Sequence, residues 1–410
     1  MRRAGRSTSP RRLSLAVRIG ALLAGACYVA GALVVGLDAA TVRHPDYAAG
    51  VPQALAIKAL QGSALTRLTF NDAAGGLDLA GRYVARDPID PVAPAVLGQA
   101  LLMAGRPDAA DDAFRVAGRL GWRVAMTQAY WMQRGLAAGD YVLAAQHADA
   151  LFRQQPAFLD NRQLLDPMER DPQARAALIE RMMLRPDWLD AYLHRLGNVD
   201  LDALQVRVDV LGALSARGMS LECASTADMA ARLVELHDPV SASALWHQHC
   251  PDAAHQLLDD GAFRHVNLTK PSGVFDWQFD AGSDVDLSLQ GLGERGQQVV
   301  VTTQAAYSQI FARQLLALAP GIYELRWRSE APAPVSVPMV TVGLDCDPDG
   351  KSWLPASYDA ARKIWTASVT VDGRCPGQWL KFAARPGIAP GAGTNPGTVT
   401  LAQVELVPGR

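Results

Sequence analysis

An uncharged run from Ile19 to Leu37 constrains this chain more than any other feature of its sequence. The run has nineteen residues, and a helix needs roughly 17–25 apolar residues to cross the core of a bilayer. Only Arg43 follows the run closely, whereas six arginines precede it: Arg2, Arg3, Arg6, Arg11, Arg12 and Arg18. We therefore predict a cytoplasmic basic segment at residues 1–18, a transmembrane anchor at residues 19–37, and export of the remainder.

Three other interpretations of this N-terminal segment stay open from the sequence. One is a buried core helix, although such a helix would not need the cluster of arginines before it. A cleaved signal peptide usually has an apolar core of about 7–15 residues, which is shorter than this run, and no A-x-A site follows it. A lipoprotein would use Cys27, but the apolar residues continue for ten positions beyond that cysteine. The uncleaved anchor is the prediction that fits the length and the arginine asymmetry together.

The composition limits how many domains the rest of the chain can form and which partners it can bind. Its 410 residues are enough for two or three domains, and a hydrophobic content of 49% is that of a folded protein. The formal net charge is −2 with 20% charged residues, which gives no general electrostatic basis for binding nucleic acid. We therefore expect no nucleic-acid partner.

Four cysteines lie beyond the predicted anchor and support export. Cys223, Cys250, Cys346 and Cys375 form two local pairs, as expected in an oxidising compartment. Cys223 and Cys250 stand at the two ends of a predicted helical hairpin that turns at Asp238, so a disulfide would close it. We predict the disulfides Cys223–Cys250 and Cys346–Cys375.

Residues 55–251 have the composition of an all-α domain, rich in Ala, Leu and Arg. Gly105 and Gly139 are 34 residues apart, and Pro88 and Pro156 are 68 apart, which is twice that period. The unit around Gly105 places small and large residues at helical spacing: Leu97, Gly98, Ala110, Phe114 and Ala117. Small residues let two helices approach closely, and Phe114 fills the gap that they leave.

With these residue types, the 34-residue spacing resembles the tetratricopeptide repeat over Ile57–Pro156. The second unit departs from the motif, since it has Met132 where the consensus has glycine. The resemblance implies stacked helical hairpins that hold a protein partner of the cell envelope.

The pattern changes after Phe263, where apolar residues begin to alternate. Short alternating stretches such as Val285/Leu287/Leu289 and Tyr323/Leu325/Trp327 are separated by turns such as Ala319-Pro320-Gly321. This pattern predicts an all-β sandwich of about eight or nine strands at residues 262–410.

Several short segments of this region resemble jelly-roll, galactose-binding-like modules, many of which bind glycans. They are Gly261-Ala262-Phe263, Phe275-Asp276-Trp277, Gln314-Leu315 and Pro320-Gly321-Ile322-Tyr323. The order of anchor, degenerate repeats and sandwich is similar to proteins of bacterial exopolysaccharide and O-antigen gene clusters. The resemblance implies a multidomain chain with one transmembrane helix, all-α repeats and an all-β jelly-roll that holds a carbohydrate.

Candidate binding residues lie in the predicted sandwich. Aromatic rings beside hydrogen-bonding groups stack on sugars, so we select Trp353, Tyr358, Trp379 and Lys381 as candidate glycan ligands. Strand parity turns Trp379 and Lys381 away from Leu380 and Phe382. No cofactor is expected, although Asp345, Asp347 and Asp349 form a D-x-D-x-D-G run that is similar to the start of a calcium loop.

The sequence contains no nucleophile elbow, phosphate loop, dinucleotide fingerprint or HExxH motif. We therefore predict a non-catalytic scaffold or adaptor, anchored in the inner membrane with its C-terminal domains in the periplasm, for assembly or export of an envelope polysaccharide. Two alternatives stay open. One is an accessory or catalytic factor that acts on envelope glycans, and the other is a purely structural protein-interaction module.

Overall fold

The computed structural model describes residues 15–197, 199–250, 257–269, 273–282, 284–303, 307–329, 339–384 and 397–409. The chain divides into two compact units, Met1–Gly139 and Asp140–Arg410. This division falls inside the helical region predicted at residues 55–251, so the predicted domain boundaries stay a prediction. Most of the predicted cytoplasmic segment, residues 1–18, lies outside the described residues.

The first helix, α1 (Leu15–Ala40), contains the apolar run. Its segment Ile19–Ala40 has 22 residues and a mean hydropathy of 2.1. Of the helices that the structure describes, it is the one long and apolar enough to cross a membrane. A membrane anchor and a signal sequence share these properties. The helix continues three residues past Leu37, the predicted end of the span.

Asp38 joins the end of α1 to the next helix, α2 (Lys58–Thr69). Its Oδ1 accepts hydrogen bonds from the backbone N–H of Ile57 at 3.1 Å and of Ala59 at 2.9 Å. Its Oδ2 accepts the backbone N–H of Lys58 at 2.9 Å. The first N–H groups of a helix have no partner inside it, and a carboxylate there also favours the helix dipole. Because the Asp38 side chain is buried, the end of α1 belongs to the folded part of the first unit.

The first unit continues with a short 3-10 helix and four further α-helices. After the 3-10 helix Pro45–Gly50 and α2, these are α3 (Ala73–Arg86), α4 (Val92–Met103), α5 (Pro107–Leu120) and α6 (Ala125–Ala138).

Helices α4 and α5 form the hairpin that the repeat pattern predicted. Gly105 makes the turn with a φ of +69°, which glycine adopts at little cost, and Pro107 stands at the start of α5. A Cβ at Gly98 would lie 2.7 Å from the ring of Phe114, so only glycine allows this close approach. The predicted contact is confirmed, whereas membership of the tetratricopeptide family stays a prediction.

Seven α-helices and a 3-10 helix begin the second unit. They are α7 (Tyr141–Gln154), the 3-10 helix Pro156–Asp160, α8 (Arg162–Arg170), α9 (Pro172–Met182), α10 (Trp188–His194), α11 (Leu201–Ala216), α12 (Cys223–Glu235) and α13 (Pro239–His249).

Helices α12 and α13 form the predicted hairpin. His237 takes a φ of +65° in the turn, and the Asp238 side chain caps α13 by accepting the backbone N–H of Ser241 at 3.1 Å. The hairpin is closed by the disulfide Cys223–Cys250, and Cys346–Cys375 forms the second disulfide, so both predicted pairings are confirmed. Two disulfides in one chain indicate an extracytoplasmic domain, because the cytoplasm keeps thiols reduced.

The remaining described residues of the second unit form ten strands. They are β1 (Gln278–Phe279), β2 (Val285–Gly291), β3 (Gln297–Thr303), β4 (Gln309–Leu316), β5 (Gly321–Arg328), β6 (Val340–Asp345), β7 (Ala356–Asp359), β8 (Ile364–Val371), β9 (Gln378–Ala384) and β10 (Gly397–Pro408). The strands make a four-stranded sheet in the order β1-β4-β9-β6 and a six-stranded sheet in the order β2-β3-β10-β5-β8-β7. Their recorded pairings are antiparallel.

The two sheets enclose one apolar core. Phe382 of the four-stranded sheet lies with its ring centroid 5.9 Å from that of Trp327 on the six-stranded sheet. Tyr323, Leu325 and Trp327 alternate along β5 and are all buried. The predicted sandwich and its alternating core are therefore confirmed, with ten strands where about eight or nine were predicted.

Helix α13 packs directly on the sandwich. Trp246 Nε1 donates to Asp259 Oδ2 at 2.8 Å, and the Trp246 ring lies 6.2 Å from that of Phe275. A Cβ at Gly377 would lie 2.9 Å from the ring of Pro239. These contacts join the later helices and the sandwich into one unit.

Candidate functional site

A groove of about 370 Å³ opens at one end of the four-stranded sheet. It lies where β1 ends and where β4 begins, and the segment that follows β6 folds back to line its other side. The side chains that characterise it are two aromatic rings, two carboxylates, an amide and an ammonium: Tyr307, Trp353, Asp280, Asp349, Gln309 and Lys351.

The segment 346–353 reaches the groove because it folds back over its own strand. Trp353 makes an isolated bridge to Gly343 of β6, and the Leu354 N–H donates to the Val342 carbonyl at 2.9 Å. A Cβ at Gly343 would lie 2.5 Å from the Ser352 carbonyl oxygen, so glycine is required where the segment crosses. The disulfide at Cys346 ties down the other end of the segment.

One arginine bridges the two acidic sides of the groove. Arg313 Nη1 lies 3.1 Å from Asp349 Oδ1, and its Nη2 lies 3.8 Å from Asp280 Oδ2. Its guanidinium carbon is 6.0 Å from the centroid of the Trp379 ring. The guanidinium therefore lies between the two carboxylates and offsets one of their charges, and Lys351 supplies the second positive charge of the groove. Their oxygens are thus positioned as hydrogen-bond acceptors in a nearly neutral setting.

Lys381 lies on the outer face of the sheet, as strand parity predicted, but it is not exposed there. Its side chain is 0% exposed, because the segment 346–353 covers this face of the sheet. The ammonium lies 3.2 Å from Asp345 Oδ2, and it donates to the carbonyls of Asp347, at 3.1 Å, and Gly350. This corrects the expected exposure of Lys381, which is left out of the binding site proposed below.

The Lys381 ammonium also changes the interpretation of the acidic turn. Burial opposes ionisation of Asp345, but hydrogen bonds from Lys381 and Ser352 outweigh it and hold the pKa of this carboxyl below its ordinary value. Asp349 is paired with Arg313. Within the described residues, no three His, Cys, Asp or Glu side chains are grouped to hold a metal ion. Lys381 and Arg313 therefore pair with two of the three carboxylates, those of Asp345 and Asp349, and we propose no calcium site there.

The structure brings together some of the predicted glycan ligands and separates others. Trp353 lines the groove, and Trp379 lies beside it, half-buried under Arg313. Tyr358 is on β7 at the edge of the other sheet, where its ring packs 5.0 Å from that of Trp365. Tyr358 therefore packs on the apolar core at the edge of the six-stranded sheet, and it is not part of the groove.

Tyr307 and Asp280 line the groove but were not selected from the sequence. Tyr307 is 65% exposed and precedes β4, and Asp280 follows β1. Each stands alone at the end of an alternating stretch, and such positions are common in turns between strands. A tyrosine in the turn two residues before a strand is the sequence signal that could have indicated this site.

No protein-family model matches this chain, and no curated protein matches it. Among solved structures, the carbohydrate-binding module TmCBM61 in complex with β-1,4-galactotriose aligns with a TM-score of 0.26 and 11% identity, over 38% of this chain and 100% of the module. The enzymatically active domain of tailspike protein 4 from bacteriophage CBA120 aligns with a TM-score of 0.25 and 10% identity, over 37% of this chain and 21% of that chain. At these TM-scores, the similarity carries no argument about function.

Proposed function

We propose that this protein is a non-catalytic scaffold of the bacterial envelope, anchored in the inner membrane, whose sandwich binds a polysaccharide through the groove at Tyr307 and Trp353. The observation that carries the proposal is the groove itself, in which two accessible aromatic side chains accompany two carboxylates bridged by Arg313. Aromatic faces pack on the apolar faces of sugar rings, and carboxylate and amide groups bind their hydroxyls.

The charge balance of the groove supports a neutral polysaccharide. The positive charges of Arg313 and Lys351 equal the negative charges of Asp280 and Asp349, so the formal charge of the groove is zero. A volume of about 370 Å³ is within the usual range for sites that bind small ligands, roughly 300–1,000 Å³. The site is therefore large enough to hold a short stretch of a glycan chain.

The contacts of Asp38 support an anchor that is retained. Removal of the helix to a point beyond Asp38 would break contacts that its end makes in the folded first unit. Helix α1 continues past the end of the apolar run to Ala40, and Asp38 is buried against the first turn of α2. The arginines before Ile19 favour a cytoplasmic N-terminus, and the two disulfides favour a periplasmic location for the rest.

The helical repeats are proposed to hold a protein partner of the envelope. The hairpin of α4 and α5 supports this role, since stacked helical hairpins present extended surfaces to other proteins. The anchor, the repeats and the sandwich would then hold a polysaccharide close to the membrane machinery that assembles or exports it.

Replacing Trp353 by alanine is expected to weaken polysaccharide binding about tenfold, because the glycan loses one stacking surface. The experiment is a titration of the full-length protein in detergent with the purified surface polysaccharide of the source bacterium. Tyr307→Ala should weaken binding similarly, and this side chain is exposed enough for its loss to leave no core cavity.

The matched control is Trp122→Ala, which removes a 55% exposed indole from the first unit. Its affinity should equal that of the unchanged protein. The proposal fails if the unchanged protein does not bind the polysaccharide, or if Tyr307→Ala and Trp353→Ala both bind it as tightly as the control.

A further inference from the structure

A second groove, of about 420 Å³, lies in the first unit directly after the membrane helix. It is formed by the segment that follows α1, by the 3-10 helix Pro45–Gly50, and by α2. Its polar side chains include a carboxylate, a guanidinium and three hydroxyls: Asp46, Arg67, Thr41, Ser63 and Thr66.

The length of the membrane helix places this groove at the depth of the lipid headgroups. The 22 residues of Ile19–Ala40 span about 33 Å at roughly 1.5 Å per residue, close to the ~30 Å hydrocarbon core of a bilayer. Thr41 follows directly and therefore stands in the headgroup layer, which adds about 5–7 Å on each side. Because Asp38 fixes the first turn of α2 against the end of α1, the groove has a fixed position relative to the span.

Exposed side chains flank the groove as expected for a surface that rests on lipid. Val42 is 67% exposed, Tyr47 is 47% exposed, and Leu55 is 51% exposed. All three belong to the segment that joins α1 to α2. Tyrosine is enriched at the boundary between membrane and water because its ring is apolar and its hydroxyl is polar. At a membrane surface these apolar side chains would be partly buried, which is favourable.

The charged residues of the groove decide which ligand it fits. Arg67 has five N–H donors in a planar arrangement suited to a phosphate, and one of them is used in a 3.0 Å bond to Asp72 Oδ2. Asp46 supplies a negative charge in the same groove. The hydroxyls of Thr41 and Thr66 donate to backbone carbonyls of their own helical segments. A ligand with one phosphodiester and one ammonium group matches the two charges.

We propose that this groove binds the headgroup of phosphatidylethanolamine from the periplasmic leaflet. The phosphodiester would face Arg67, and the ammonium would face Asp46. This inference depends on the membrane anchor of the proposed function but not on glycan binding. A bound headgroup would hold the first unit against the bilayer in one orientation.

The test measures lipid retention by the full-length protein in detergent micelles, using native mass spectrometry. The probes are short-chain phosphatidylethanolamine, short-chain phosphatidylglycerol and soluble phosphoethanolamine. We expect the first to be retained at least fivefold more strongly than the other two. Arg67→Gln should abolish that retention, and Asp46→Asn should remove the preference for ethanolamine over glycerol.

The matched control is Arg82→Gln, which changes an exposed arginine of α3 whose partner is Asp78. It should retain phosphatidylethanolamine like the unchanged protein. Equal retention by the Arg67→Gln variant would overturn the inference, and so would binding of phosphoethanolamine as tight as that of the lipid. Release of the full-length protein from membranes by an alkaline wash would refute the membrane anchor, and with it both the proposed anchored scaffold and the lipid site. Absence of lipid retention in a protein that stays with membranes would refute the lipid site alone.

Discussion

Replacing Arg207 by alanine is expected to lower the free energy of unfolding by about 3–5 kcal/mol. Arg207 is on α11, and its side chain is fully buried. Its Nε lies 3.1 Å from Oε1 of the equally buried Glu169 on α8, and its guanidinium carbon is 4.5 Å from the centroid of the Tyr192 ring. Tyr192 also donates its hydroxyl to Glu169 Oε1 at 2.8 Å. Arg162 remains 3.1 Å from Glu169 Oε2 after the substitution, but the fully buried counter-charge of this carboxylate is lost and a gap is left beside the Tyr192 ring.

Chemical denaturation followed by circular dichroism would measure this loss. The matched control is Arg217→Ala, whose partner Glu180 is 66% exposed and which is itself 40% exposed. That change should cost no more than about 1 kcal/mol, because solvent screens exposed ion pairs. An equal cost for Arg207→Ala and Arg217→Ala would contradict this account of the helical core.

Removing the second disulfide, with Cys346→Ser and Cys375→Ser together, is expected to cost about 3–4 kcal/mol of stability in the chain-entropy model. The bond joins residues 29 apart and closes the end of the segment that carries Asp349, Lys351 and Trp353 into the groove. Without it this segment should become more mobile. The variant should therefore bind the polysaccharide more weakly than the unchanged protein, even at temperatures where it remains folded.

The variant Cys223→Ser with Cys250→Ser separates these two effects. Its disulfide closes a similar length of chain, 27 residues, but it lies in the helical hairpin of α12 and α13. We expect a comparable loss of stability with unchanged affinity for the polysaccharide. Thermal unfolding and the same binding titration would measure both quantities. Equal binding by both double variants would show that the Cys346–Cys375 bond does not position the groove.

Local patterns predicted much of the fold. The alternation of Tyr323, Leu325 and Trp327 predicted which face of β5 is buried, because side chains on a strand alternate between its two faces. The two ends of an antiparallel hairpin meet, so the positions of Cys223 and Cys250 along the chain were enough to pair them. The contact of Gly98 with Phe114 followed from the spacing of small and large residues on neighbouring helices.

The remaining features depend on contacts between distant parts of the chain. Glu169 and Arg207 are 38 residues apart, and neither stands in a pattern that predicts its burial. Strand parity placed Lys381 on the outer face of the sheet correctly, but it could not show that the segment 346–353 folds over that face. Tyr307 joins Trp353 in the groove only through the packing of β4 against β6 across β9. Sequence separation therefore limited the prediction of the site more than that of the fold.

Hydroxyl-radical footprinting of the full-length protein, with and without saturating polysaccharide, tests the central claim most directly. This measurement reports the accessibility of each aromatic side chain and therefore locates the bound glycan. We predict that the polysaccharide protects Tyr307 and Trp353 from oxidation, while Trp122, which is exposed in the first unit, reacts at the same rate in both samples. Unchanged oxidation of Tyr307 and Trp353 at saturation, or protection confined to Trp122, would contradict a glycan site in the sandwich groove.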